Sequence, residues 1–224
     1  QDINEALEKN MRARGLKLAA NEIYNDEAPG TAVSDAVVSI GFYCTGSVIS
    51  DQGLIITNHH CAYSNIAKLS TPEHNYLEDG FWAMTSEEEI PIEGETVFFL
   101  KKVFDVTEEV KGIMKEFRAN GKPFGIRKIS AIMEKRYKEA TGMECILSSM
   151  WAGEKYYMSV YKTYTDLRLV AAPPQSIGYF GGNQDNWTWP RHNCDFTIYR
   201  IYEDGKPVTR EKSLKVSLAG YHPG

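Results

Sequence analysis

Two adjacent imidazoles, His59 and His60, close an apolar stretch and are followed at once by Cys61. An imidazole titrates near neutral pH, so it can accept a proton, donate a hydrogen bond or ligate a metal. The metal set within reach in sequence (His59, His60, Cys61, His74) is a poor one. Adjacent histidines do not easily ligate one ion together, no second thiolate is near, and no CxxC occurs, so no metal is expected. In an extended segment neighbouring side chains face opposite ways, so only one of the two histidines lines a given site. A second chemical signal is Asp195, which heads the alternating run Phe196 to Tyr202 after a Gly- and Trp-rich stretch from Gly181 to Asn193. A carboxylate there can hold a histidine tautomer and stabilise its cation, or it can simply cap the loop before a strand. No Gly-x-Ser-x-Gly or Gly-Asp-Ser-Gly-Gly occurs: Ser47 lies in the hairpin before the histidines and Ser176 in a Pro-rich turn.

The elements that must place these groups are readable in outline. Ala36 to Ile40, Gly46 to Ser50 and Leu54 to Thr57 are short apolar or β-branched runs, the last two joined by the turn Asp51-Gln52-Gly53, which predicts a β-hairpin leading into the histidines. Ala62 to Leu69 reads as one or two helical turns. Tyr76 to Pro91, rich in acids, reads as a long surface loop, and Thr96 to Val106 as a strand. Thr107 to Asn120 carries a helical stripe of Val110, Ile113, Met114 and Phe117, and Phe124 to Thr141 a second one. Two helices within a strand-rich chain suggest an insertion at about 107–141. Tyr156 to Val170 returns to β-type residues. Cys194 to Tyr202 reads as a strand, turned at Glu203-Asp204-Gly205-Lys206 and partnered by Ser213 to Leu218. A helix capped by Asn4 and a loop occupy residues 1–30.

Composition bounds the function. The chain has 224 residues, 42% hydrophobic and 25% charged, which is ordinary for a globular protein. Net charge is -5, without the basic excess that nucleic-acid binding needs. No apolar run approaches the roughly 18 residues of a membrane helix. The four cysteines, Cys44, Cys61, Cys145 and Cys194, allow three connectivities, and composition does not choose among them. The first residue is Gln1 rather than Met, so an upstream segment is expected to have been removed. The final residues read like the approach to another strand, so the chain is expected to be a fragment.

The span from Cys44 to Cys61 resembles the catalytic-histidine region of chymotrypsin-like serine peptidases. Taken with Gly181-Gly182-Asn183-Gln184-Asp185-Asn186-Trp187-Thr188-Trp189-Pro190-Arg191-His192-Asn193-Cys194-Asp195-Phe196, it resembles one family closely: the bacterial dipeptidyl-peptidases 7 and 11 and dipeptidyl aminopeptidase BII. The resemblance runs from about Ala36 to the end. It implies a mainly β chain with inserted helices, a chymotrypsin-like (trypsin-like) double β-barrel peptidase fold that is incomplete here, with residues 31–224 the N-terminal part of the peptidase domain.

The same resemblance implies a Cys44–Cys61 disulfide, His60 as general base and Asp195 as its orienting carboxylate. Closing that loop would contribute roughly 3 kcal/mol. It places Asn186 and Trp187 at the substrate's free α-amino group, where an ammonium finds an amide oxygen and an aromatic face. His59 is then packed or hydrogen-bonded. Cys194 departs from the family pattern, and a bridge to Cys145 or a buried thiol are its two alternatives. The implied activity is serine-type release of N-terminal dipeptides from oligopeptides, without a cofactor, with the nucleophilic serine in a missing C-terminal part. The fragment alone is then expected to be inactive. Rival readings are a catalytically inactive peptidase-like module that binds peptides, and a structural β-rich domain. The resemblance also implies the periplasm or cell surface of a Gram-negative bacterium, and it allows a homodimer of the full-length protein.

Overall fold

The structure is a computed structural model that describes residues 3–25, 27, 28, 30–121, 123, 125–179, 193–210 and 212–220. Helices α1 (Glu5–Ala13) and α2 (Ala20–Ile23) precede strands β1 (Val37–Ile40), β2 (Cys44–Val48) and β3 (Leu54–Thr57). Helix α3 (His59–Leu69), helix α4 (Tyr76–Asp79) and strands β4 (Phe81–Trp82), β5 (Ile90–Ile92) and β6 (Val97–Asp105) follow. Next come α5 (Thr107–Ala119), α6 (Ile126–Thr141), β7 (Glu144–Met150), β8 (Lys155–Tyr164), β9 (Asp166–Ala172), α7 (Gln175–Gly178), β10 (Thr197–Glu203) and β11 (Lys206–Pro207). The chain divides into two compact units, residues 1–97 with 164–224, and residues 98–163.

The first unit holds both chemical signals. Its strands run in the order β4-β9-β10-β3-β2-β1, with β5 also on β9 and β11 on β10. Every pairing in it is antiparallel. Alternation sets the buried face: Val38 and Ile40 of β1, Ile55 of β3, Leu167 and Leu169 of β9, and Tyr199 and Ile201 of β10 are all buried. The hairpin at 44–57 forms with Ser47 opposite Ile56 and Val48 opposite Ile55. The second unit is built on β6, β8 and β7 in that order. Its core joins Val106 and Val110 to Ile129, Met133, Met158 and Val160, so the two apolar stripes read from the sequence become one helix-on-sheet core. The Thr107 hydroxyl closes it by accepting from Tyr156 N at 3.0 Å.

Several expectations need correction. The helix after the hairpin starts at His59 and runs for 11 residues, longer than the one or two turns read from Ala62. Tyr76 to Pro91 is no continuous loop, because α4, β4 and β5 interrupt it and both strands find partners on β9. Strands of two or three residues are too short to show an alternation. Ser213 to Leu218 does not pair as a strand with β10; the partner is β11. Leu214 N instead donates to Val48 O at 2.8 Å. Overall the chain is mainly antiparallel β with inserted helices, as part of a chymotrypsin-like fold would be.

Candidate active site

Register brings the distant groups together. β10 pairs with β3 so that Thr197 lies opposite Thr57. The residues just before Thr197 must therefore meet those just after Thr57, although the two segments lie far apart in sequence. Asn58, with extended backbone, starts α3 but makes no cap bond with its own side chain. A helix start leaves N–H groups without intrahelical acceptors and carries partial positive charge. Asp195 answers that need from the loop before β10: His60 N donates to its Oδ1 at 3.1 Å. The Asn58 side-chain amide donates to Asp195 Oδ2 at 3.1 Å.

The same carboxylate reaches the imidazole. His60 Nδ1 and Asp195 Oδ2 are 2.8 Å apart. The Asp195 side chain is only 10% exposed, whereas that of His60 is 50% exposed. A sheltered acceptor on Nδ1 selects the tautomer with its proton there, and Nε2 becomes the basic nitrogen. The loop carrying Asp195 is also tied to α7, with Cys194 N donating to Ile177 O at 2.6 Å.

His59 takes the opposite role. It is 2% exposed, and its Nε2 has no hydrogen-bond partner among the described residues. The two rings diverge because they lead a helix, not because they alternate along a strand as the sequence suggested. Gly178 explains how α7 fits over His59: a Cβ there would lie 2.2 Å from His59 Cδ2. Burial lowers the His59 pKa from its ordinary value; Asp195 opposes that shift and His60 adds to it.

Beside the His60 ring opens a cavity of about 280 Å³, walled by Tyr63, Gln175 and Tyr179 with Gly178 and His59 behind. The Cys44–Cys61 bridge is present, with Cα atoms 6.1 Å apart. Cys145 is a buried free thiol and Cys194 an exposed one, so neither alternative raised for Cys194 holds: it neither pairs with Cys145 nor is buried. Asn186 and Trp187 lie outside the described residues. Among the described residues no group of three potential metal ligands clusters, and no helix is long and apolar enough to cross a membrane. Sequence reasoning gave Asn58, Tyr63 and Gly178 no role. Asn58 stands directly before the histidines and offered a signal; Gly178 carried none, because its partner is far away in sequence.

The β2–β3 hairpin thus delivers a helix-borne histidine to a carboxylate just ahead of β10. The chain belongs to Peptidase S46, whose family model matches residues 1–224. Among its relatives, it is 41% identical to dipeptidyl-peptidase 7 of Phocaeicola vulgatus over 96% of this chain and 32% of that protein. It is 42% identical to the Asp/Glu-specific dipeptidyl-peptidase of Porphyromonas gingivalis over 94% of this chain and 31% of that protein. It superimposes on Porphyromonas endodontalis DPP11 in complex with the dipeptide Arg-Glu with a TM-score of 0.86 and 36% identity, covering 97% of this chain and 33% of that one. The chain thus spans about a third of the length of these relatives.

Proposed function

We propose that this chain supplies the histidine and aspartate of a serine-type dipeptidyl-peptidase whose nucleophilic serine belongs to the remainder of a longer protein. The observation that carries this reading is the 2.8 Å contact between His60 Nδ1 and Asp195 Oδ2. With Nδ1 held by the carboxylate, Nε2 takes the proton from a serine hydroxyl as it attacks a peptide carbonyl, then returns it to the leaving amine. Asp195 stays ionised throughout and stabilises the imidazolium. The cavity beside His60 receives a side chain next to the scissile bond. Asn186 and Trp187 hold the free α-ammonium, which counts two residues from the N-terminus. The names of the relatives support dipeptide release. The disulfide supports an oxidising location, the periplasm or cell surface.

The test uses the full-length protein and an oligopeptide with a free N-terminus, with its acetylated twin as control. Mass spectrometry should show dipeptides released from the free peptide alone, and none with His60→Ala. Activity that survives His60→Ala while His59→Ala abolishes it would assign the base wrongly. Binding of the peptide without any cleavage by the wild type would favour the inactive peptide-binding module.

A further inference from the structure

A buried carboxylate, Glu95, is tied to the helix that carries His60. Glu95 is 8% exposed, and among the described residues no cation pairs with it. Its Oε2 accepts from Asn65 Nδ2 at 3.1 Å and also from the Tyr43 hydroxyl. Its Oε1 accepts from Thr96 N at 3.3 Å. Burying a carboxylate without a counter-charge is costly unless donors converge on it, and hydrogen bonds to a charged acceptor are the stronger kind.

The donors come from the pieces that build the site. Asn65, itself 7% exposed, is on α3 about one and a half turns after His60. Tyr43 directly precedes Cys44, whose partner Cys61 follows His60. The turn before Tyr43 is shaped to the carboxylate: Gly41 has φ +56, and a Cβ there would come within 2.9 Å of Glu95 Oε1. Tyr199, four residues after Asp195 and 1% exposed, has its hydroxyl in the electrostatic reach of Glu95, Asn65 and Tyr43. The cluster thus gathers the helix of the base, the strand end of the disulfide and the strand that follows the orienting carboxylate.

We propose that Glu95, through Asn65, is a positioning residue that sets the angle of α3 and so the seat of His60 against Asp195. The inference rests on the reading of His60 as general base. It touches neither substrate nor imidazole. Glu95→Gln keeps the shape but removes the charge and replaces one acceptor oxygen by a donor, so either Thr96 N or the Asn65–Tyr43 pair loses its acceptor and the helix loses its charged anchor.

The experiment measures kcat, KM and thermal midpoint of the full-length protein for Glu95→Gln and Asn65→Ala. Glu89→Gln is the control, because Glu89 is an equally buried carboxylate bound to Arg200 and Tyr202 instead. Loss of alignment at the reacting atoms predicts kcat lower by about tenfold with KM within about twofold in both test variants. The low-field proton resonance of the His60–Asp195 hydrogen bond should shift in both. Glu89→Gln should lower the thermal midpoint while kcat and that resonance stay as in the wild type. If Glu95→Gln fails to fold, Asn65→Ala alone decides. Folded variants with wild-type kcat, or losses that follow only the folded fraction as in Glu89→Gln, overturn the proposal. His60→Ala is run alongside: activity in it would overturn the reading of the base, whereas a dead His60→Ala beside a fully active Glu95→Gln would overturn the positioning role alone.

Discussion

At the scale of single residues, His59 and His60 show how one helix turn assigns opposite duties to identical side chains. His60 faces a cavity and a carboxylate; His59 lies under α7, neutral by burial. The direction of the His59 shift gives a pH signature. Its folded pKa lies below its unfolded value of 6.5, so the unfolded chain binds a proton that the folded chain refuses. The stability that His59 contributes is complete above pH 6.5 and falls as the pH drops below it. Urea unfolding from pH 8 to about pH 5 should show the difference between wild type and His59→Gln shrinking on the acid side. A difference independent of pH would contradict the assignment. Gly178 gives a second residue-scale test. Ala there must displace the His59 ring or α7, at about 1–3 kcal/mol for overpacking. Gly178→Ala should lower the thermal midpoint and kcat together, and an unchanged protein would contradict the contact.

At the scale of elements, α3 is held at its head by Asp195 and at its first turn by the Cys44–Cys61 bridge. A sequence separation of 17 residues makes that bridge worth roughly 3 kcal/mol in the chain-entropy account. The Cys44→Ala/Cys61→Ala protein should lose about that much stability by denaturant titration; a loss under 1 kcal/mol would mean that α3 is seated by its other ties. The same element shows what the sequence reveals and what it conceals. The 44–57 hairpin, α5 and α6 were legible because contiguous apolar periodicity and turn glycines specify them locally. The start of α3 was not, because Asn58 stands at the N-cap without a cap bond from its own side chain, and the acceptor that serves His60 N is Asp195, far away in sequence. β4 and β5 were hidden within an acidic stretch, being edge pieces whose pairing depends on β9. Ser213 to Leu218 alternates well and yet forms no strand, because alternation without a partner in register is insufficient. His60 and Asp195 were reachable through a family resemblance. Their meeting depends on the register of Thr57 with Thr197, which no local pattern encodes.

At the scale of the whole molecule, the chain is a mainly antiparallel β member of Peptidase S46 that spans about a third of its relatives' length. Its sheet register places the His60 imidazole and the Asp195 carboxylate in contact at the edge of an aromatic-walled cavity. On the proposed mechanism the remainder of a longer protein adds nucleophile and oxyanion donors, so catalysis depends on residues from both parts acting as a unit. The account stands on the joint action of His60 and Asp195, and a double-mutant cycle in the full-length protein tests it most directly. Asp195→Asn alone should lower kcat by about 10⁴-fold through the wrong tautomer. His60→Ala should lower it at least as far, and the double variant should be no worse than His60→Ala, because residues of one unit are not additive. Losses that multiply in the double variant would mean that the two side chains act independently, and the proposed mechanism would be wrong.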